Sequence, residues 1–344
     1  MRMAGRADGG SSITNVAAMA DVSIATVSRV LSGKRGKDDD IARRVREAAK
    51  QLGYSVNYAA SALRSDVTKT IGLVIPSATE AFAAQLLDTI EPTIDVESQQ
   101  LLLGIGATQE AQKERIESLI NRHVDGLIVV PAPGADHAET LDRHADALPI
   151  VQIGGRQTSP HVSVVGIDEG VAMETVIRHL AGQGIASVAY MAGDELSFES
   201  AELFAMFHTY LRTYELSTDE DWNRFGACTV QRGFDCAMRL FNGPIVQPEA
   251  VVCADDTIAF GVMVALNTLG VRVPEDVLVV GYHDSPIART TMPQLTSMRA
   301  PFERIVSECL RLLASKQTYD ADERAPRIML APRLIARESS MLRS

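Results

Sequence analysis

The stretch SITNVAAMADVSIATVSR, residues 12–29, decides how this chain is read. It predicts two short helices joined by a tight turn. Ser12 has the side chain of an N-cap, and Asn15 three residues later stands in weakly for the Glu or Gln of a capping box. Val16, Ala17 and Ala20 give a small apolar face, and Asp21 and Val22 break the pattern. Ser23 then caps a second helix in which Val27, Val30 and Leu31 fall at i, i+3 and i+4 and point inward, leaving Ile24, Ala25, Ser28 and Arg29 outside. Helices of this length bury little by themselves. The pair therefore needs a third helix or a purpose beyond packing. A helix-turn-helix that lays its second helix in the major groove has this layout; an ordinary helical hairpin is the plainer alternative.

The following residues supply the third helix. Asp38 is expected to cap a helix over 41–52 whose inner stripe is Ile41, Val45, Ala48, Ala49 and Leu52, with Arg43, Arg44, Arg46 and Lys50 outside. Beyond Gly53 and Tyr54, residues 57–64 have helix-forming composition but no wide apolar face, so they have little reason to fold in isolation. The first eleven residues are polar and Gly-rich and are expected to be disordered.

Charge separates the two ends. The chain of 344 residues carries a net charge of -11, which by itself argues against nucleic acid. Yet residues 1–69 hold 12 Lys+Arg against 7 Asp+Glu, while the remainder holds 21 against 37. A basic head on an acidic body suits a chain that meets phosphates at one end only. No run approaches a membrane span and the start lacks an apolar signal segment, so a soluble cytoplasmic protein is expected, with no membrane partner. Cys228, Cys236, Cys253 and Cys309 lack CxxC spacing and are expected as buried thiols, with no metal site and no disulfide framework.

From Lys69 the texture changes. Short apolar runs at 71–76, 101–105, 126–130, 150–153, 187–191, 250–253 and 277–280 alternate with amphipathic helical stretches, the pattern of parallel α/β sheets buried on both faces. They fall into two sets, before and after about Gly166, so two doubly wound lobes with a cleft between them are predicted. Glu91 and Pro92 interrupt the first helix expected in the body, residues 80–99, where an interior proline costs about 3 kcal/mol and predicts a kink or break.

The runs VAAMADVSIATVSRVLSGK, RRVREAAKQLGYSVN, ASALRS and TKTIGLVIPS, together with VDGLIVVPA, VVCADDTIAFGVMVALNTLGVRVPEDVLVVGYHD and MPQLTSMRAP, carry a resemblance to the lactose-repressor (LacI/GalR) family of transcription regulators, from Ser12 to about Ser339. The resemblance implies a helix-turn-helix DNA-binding domain at 12–56 and a hinge helix and linker at 57–69. It implies a periplasmic-binding-protein-like body at 70–344 that binds an effector and dimerises. Lobe one would span about 70–166 plus 300–324, closing with a helix at 302–313, and lobe two about 167–297 plus 327–344. The chain would cross between lobes near 166–170, 296–300 and 324–327.

Within the head, the resemblance places Ile24, Ala25 and Arg29 where family members read base edges. Arg29 suits a guanine or a phosphate equally, whereas Ile24 and Ala25 can read only methyl groups and groove shape. Thr26, Ser28, Asn57 and the backbone at Ser12 and Ser23 are candidates for phosphate positioning, and Lys34 and Arg35 lie in a loop more basic than usual. Leu63 resembles the leucine that family members wedge between base pairs at the operator centre, which implies a homodimer on a roughly palindromic double-stranded operator. Asp21 replaces the usual turn glycine and tolerates the left-handed region. Val56 replaces a proline.

In the cleft, matching positions give Ser77, Phe82, Asp168, Asp255, His283 and Phe302 as effector-facing. Leu203 stands where sugar-binding members carry an arginine, Asp255 where they carry an asparagine, and His283 where they carry the first aspartate of a Gly-Tyr-Asp-Asp pattern. The stacking aromatic falls at Cys228, with Trp222 or Phe225 as substitutes. Gly-Tyr-His also resembles gluconate-type regulators. A sugar acid, a neutral sugar and another small metabolite all stay open as effector.

Two other classes compete. A two-lobed solute-binding protein would need a secretion signal and has no use for the head. A nucleotide-dependent enzyme is suggested by Gly104 and Gly106 and by Gly182 and Gly184, but the first pair lacks a third glycine and the second follows a helix. No triad or HExxH spacing is present, so no catalytic residue, cofactor or enzymatic activity is expected.

Overall fold

The computed structural model describes residues 12–31, 35, 37–54, 67–96, 98–194, 197–243, 246–315 and 323–342. The expected disordered start and nearly all of the hinge segment lie outside the described residues. The chain divides into two compact units, Met1–Thr68 and Lys69–Ser344.

In the first unit, α1 (Ile13–Ala20), α2 (Ile24–Leu31) and α3 (Asp40–Gln51) enclose a core of Val16, Ala17, Ala20, Val27, Val30, Ala42, Val45, Ala48 and Ala49. Ser12 accepts the Asn15 N–H at 3.2 Å, and Ser23 accepts the Thr26 N–H at the same distance, so each serine satisfies an orphan donor at a helix start. Asp21 sits at φ 52, ψ 54, the left-handed conformation the turn requires. The third helix differs from expectation. Its cap is Asp39, which accepts the Ala42 N–H at 3.0 Å, because Asp38 is drawn to Arg46 at 2.5 Å. Ala42, three residues before Val45 on the same face, is buried, whereas Ile41 is only partly so.

The second unit holds two sheets. The first has strand order β10-β5-β4-β3-β1-β2, all parallel: β1 (Thr70–Ile75), β2 (Gln100–Ile105), β3 (Gly126–Val129), β4 (Ile150–Ile153), β5 (Ser163–Ile167) and β10 (Arg327–Leu330). The second has order β11-β9-β8-β7-β6, with β6 (Val188–Met191), β7 (Ala250–Cys253), β8 (Leu278–Tyr282) and β9 (Thr296–Arg299) parallel and β11 (Arg333–Ile335) antiparallel to β9. Helices α4 (Ala81–Asp95), α5 (Gln109–Asn121), α6 (Ala138–Asp142) and α11 (Phe302–Ser315) belong to the first lobe. Helices α7 (Glu169–Ala181), α8 (Phe198–Thr213), α9 (Val230–Phe241) and α10 (Asp256–Leu269) belong to the second. Among the described residues, no helix is long and apolar enough to cross a membrane.

Three expectations are corrected. Strand β10 pairs with β5 in the first sheet, Arg327 opposite Val164, so the third crossing falls at Ala331 and Pro332 and not near 324–327. Helix α4 continues through Pro92 without a break, because only three residues remain after it and the lost donor falls in the last turn. Of the four cysteines three are buried, but Cys228 is exposed.

Glycine permits the tightest helix contact. A Cβ on Gly233 of α9 would stand 2.1 Å from the Ile258 carbonyl oxygen, and one on Gly261 of α10 would stand 2.0 Å from that of Val230. Only hydrogen fits there.

Candidate nucleic-acid interface and ligand cleft

On α2, Val27 and Val30 are buried while Ile24, Ala25, Ser28 and Arg29 are exposed, so one face packs and the other is presented to solvent. Ile24 is 44% exposed. Thr26 is less available than the sequence suggests, since its hydroxyl lies 2.9 Å from that of Ser23. Arg35 is half-buried and bound to Asp39 at 2.6 Å, and its backbone N–H donates to the Arg29 carbonyl at 3.1 Å. That ion pair, through the Arg35 hydrogen bond first, holds the Asp39 carboxyl below the ordinary carboxylate range. Lys34, Asn57 and Leu63 lie outside the described residues.

The two lobes of the body meet where α4 faces the loop after β8. The Phe82 ring lies 5.7 Å from His283 and 5.2 Å from Phe302, and Gln85 Nε2 donates to the His283 carbonyl at 3.0 Å. Asp255 caps α10 by accepting the Thr257 N–H at 2.6 Å, and its other oxygen is 3.9 Å from His283 Nε2. Phe82, Asp255, His283 and Phe302 are thus brought together. Ser77 accepts from the Thr79 N–H at 3.2 Å, and Asp168 caps α7 through the Val171 N–H at 3.0 Å.

Two carboxyl groups, those of Asp255 and Glu80, interact at this seam. Burial pushes the His283 imidazole pKa down, against the pull of Asp255, and so favours the neutral ring. Burial and then the Asp255 charge push the Glu80 carboxyl up. Although Cys228 is exposed, surrounding protein and then Asp255 push its thiol up to about 12, with Arg232 pulling the other way. Arg232 itself donates to the carbonyls of Ala192 at 2.6 Å and Arg224 at 3.3 Å. Among the described residues, the hydroxyl of the buried Tyr190 and the Nδ1 of His283 have no hydrogen-bond partner. Of the two substitutes for a stacking aromatic, Trp222 belongs to the core beside Met191 and Cys236, whereas Phe225 is 38% exposed and packs on Phe204. Leu203 is buried in the core.

Sequence reading missed Glu80, Gln85 and a buried support beneath them. Asp256 is fully buried, accepting from Ser297 Oγ at 2.6 Å and from the Ser285 N–H at 2.6 Å and Oγ at 2.9 Å. Burial raises its pKa to about 7 despite those bonds. Next to it, the buried Asp284 binds Arg299 at 2.5 Å and Arg337 at 2.5 Å, with Arg289 at 3.6 Å. His283 and Asp284 both have positive φ, 90 and 49, in a loop also tied to Met298 by the His283 N–H at 2.7 Å. The doubled acidic pair at 255–256 and the lone Asp284 after a strand were the available signals.

Known proteins resemble this chain throughout. Residues 12–57 match the bacterial regulatory proteins of the lacI family, and residues 177–340 match the periplasmic binding protein-like domain. The HTH-type transcriptional repressor PurR of Vibrio cholerae is 28% identical over 89% of this chain and 91% of its own length. PurR of Pasteurella multocida is 26% identical, covering 96% of this chain and 98% of its own. The complex of the regulator CelR with cellobiose is 27% identical with a TM-score of 0.69, covering 96% of this chain and 99% of the other. A lac repressor dimer bound to operator, at 24% identity and a TM-score of 0.80 over 96% and 99% of the two chains, shares the fold. The chain thus joins a head of the bacterial lacI regulatory family, at 12–57, to a periplasmic-binding-protein-like domain at 177–340, the two-part make-up of LacI-family DNA-binding regulators.

Proposed function

We propose that this chain represses transcription as a homodimer on a roughly palindromic operator, and that a small molecule in the interlobe cleft sets how tightly it holds. The observation that carries the reading is the split of α2 into a buried face of Val27 and Val30 and an exposed face of Ile24, Ala25, Ser28 and Arg29. Arg29 would supply the guanine or phosphate contact, and Ile24 and Ala25 the contacts to thymine methyls. Ser12, Ser23, Thr26 and Ser28 would position the backbone. The exposed Leu103 and Ile105 on edge strand β2 favour a second copy of the chain as cover for that edge. An effector that prefers one lobe closure would alter operator affinity by its differential affinity for the two states.

For the effector, the carboxylates of Glu80 and Asp255, the neutral His283 and an Arg232 committed to backbone carbonyls favour an uncharged carbohydrate over a sugar acid. Carboxylates accept from sugar hydroxyls, and Phe225 offers a ring to stack on. The PurR relatives favour a second reading, a purine base.

The test is selection of fragments of the host genome by the purified protein. A shared, roughly palindromic sequence among the bound fragments is expected, and a profile no different from input would overturn the reading. Calorimetric titration with neutral sugars, sugar acids and purine bases then decides the effector. Saturable heat from an acid alone would sink the electrostatic part of the account.

A further inference from the structure

Three aspartates in a row, Asp38, Asp39 and Asp40, stand at the entrance to α3 in a head whose net charge is otherwise basic. Each is bound to an arginine. Asp38 holds Arg46 at 2.5 Å, Asp39 holds Arg35 at 2.6 Å, and Asp40 holds Arg43, with Arg44 at 3.9 Å. One of them has a structural duty, because Asp39 caps the helix. Asp38 caps nothing and Asp40 adds only the modest benefit of a carboxylate in the first helical turn, and their pairs are largely exposed, where such bridges add little to folding. Their position is the informative part. The Arg35 backbone N–H donates to the carbonyl of Arg29, so the segment carrying the triplet abuts the end of the helix whose outer face is the candidate reader of DNA.

A guanidinium paired with a carboxylate cannot at the same time pair fully with a phosphate, and both partners ask for the same planar fork of donors. We propose that the triplet 38–40 is an internal competitor for DNA phosphate: it occupies Arg35, Arg43 and Arg46 in the free protein and so attenuates the head's sequence-independent grip on duplex. The inference rests on the head being a DNA-binding unit. Its consequence is selectivity. Weakening the contacts every sequence shares, while leaving Ile24, Ala25 and Arg29 untouched, widens the ratio between operator and bulk DNA.

The test uses the full chain and a labelled duplex of mixed sequence, with affinity measured across a salt series. Asp38→Asn and Asp40→Asn are each expected to tighten binding about threefold to tenfold at about 0.1 M salt and to steepen the salt dependence by about 0.9 for each further phosphate neutralised. Asp39→Asn keeps a capping side chain and isolates charge from fold, with the thermal midpoint of each variant confirming that the head is intact. In the Asp38→Asn background Arg46→Ala should erase the tighter binding. Tighter binding that survives Arg46→Ala would mean simple repulsion and would overturn competition. Asp146→Asn changes the same net charge on the body and should leave affinity unchanged; an equal tightening there would also overturn the proposal. Unchanged affinity in all three triplet variants overturns it while the DNA-binding reading stands. If neither the natural chain nor any variant binds duplex, that reading falls and takes this one with it.

Discussion

The head and the body use carboxylates in opposite ways. In the head, Asp38, Asp39 and Asp40 sit at the surface, each beside an arginine in contact with water. In the body, Asp256 is fully buried with no cation on it among the described residues, held by two serines and a backbone N–H, and Asp284 is buried under three arginines. Surface pairs exchange partners readily, whereas a buried charge must be satisfied where it stands. The head is thereby suited to trade its partners for phosphates. The body is suited to hold one loop, residues 282–285, in a fixed relation to the crossover strand β9 that leads to the first lobe.

The sharpest break of this contrast is pH. Asp256 has a folded pKa of about 7 against an ordinary value of 3.8, so between those values the folded body binds a proton that the unfolded chain does not. Its contribution to stability is full below about pH 4 and is lost as pH rises through about 7, at up to about 1.4 kcal/mol per pH unit. Urea denaturation across that range should show Asp256→Asn becoming steadily more stable relative to the natural chain with rising pH. A constant difference would mean the carboxylate is not buried uncompensated.

Next in size is Gly261→Ala. Its methyl would meet the Val230 carbonyl oxygen at 2.0 Å, backbone against backbone, and should cost about 3 kcal/mol in the body while leaving the head's own thermal transition in place. A single shared loss of both transitions would contradict the division into two units. Arg337→Ala removes one of the three cations on Asp284 and should cost about 2 kcal/mol, less than a lone buried pair because Arg299 stays. The smallest effect belongs to the head: Ser23→Ala deletes the cap of α2 and should cost about 1 kcal/mol, read from its thermal midpoint.

How far the sequence can be read follows the same division. Periodicity and capping serines mark α1 and α2 correctly because local geometry governs them, and Asp21 in the left-handed turn follows from the turn glycine that the resemblance places there and from a short polar side chain that tolerates that conformation. Three adjacent aspartates defeat the assignment of the cap, since choosing among equal candidates depends on where Arg35 and Arg46 reach. Apolar runs reveal seven strands but pass over β5, β9, β10 and β11, and the resemblance gives residues 327–344 to one lobe, because the turn at Ala331 and Pro332 carries no pattern of its own. In the cleft, matching position names six residues, of which the structure brings Phe82, Asp255, His283 and Phe302 together. It cannot find Glu80 or Gln85, whose roles arise only when α4 is set against the loop after β8, more than a hundred residues away.

The central claim is that the basic head grips duplex and the acidic body governs how firmly. Fluorescence anisotropy with a labelled promoter fragment from the chain's own upstream region, comparing the intact protein with residues 69–344, tests it most directly. The account predicts saturable, salt-sensitive binding by the intact chain and none by the body; equal binding by the two would contradict it.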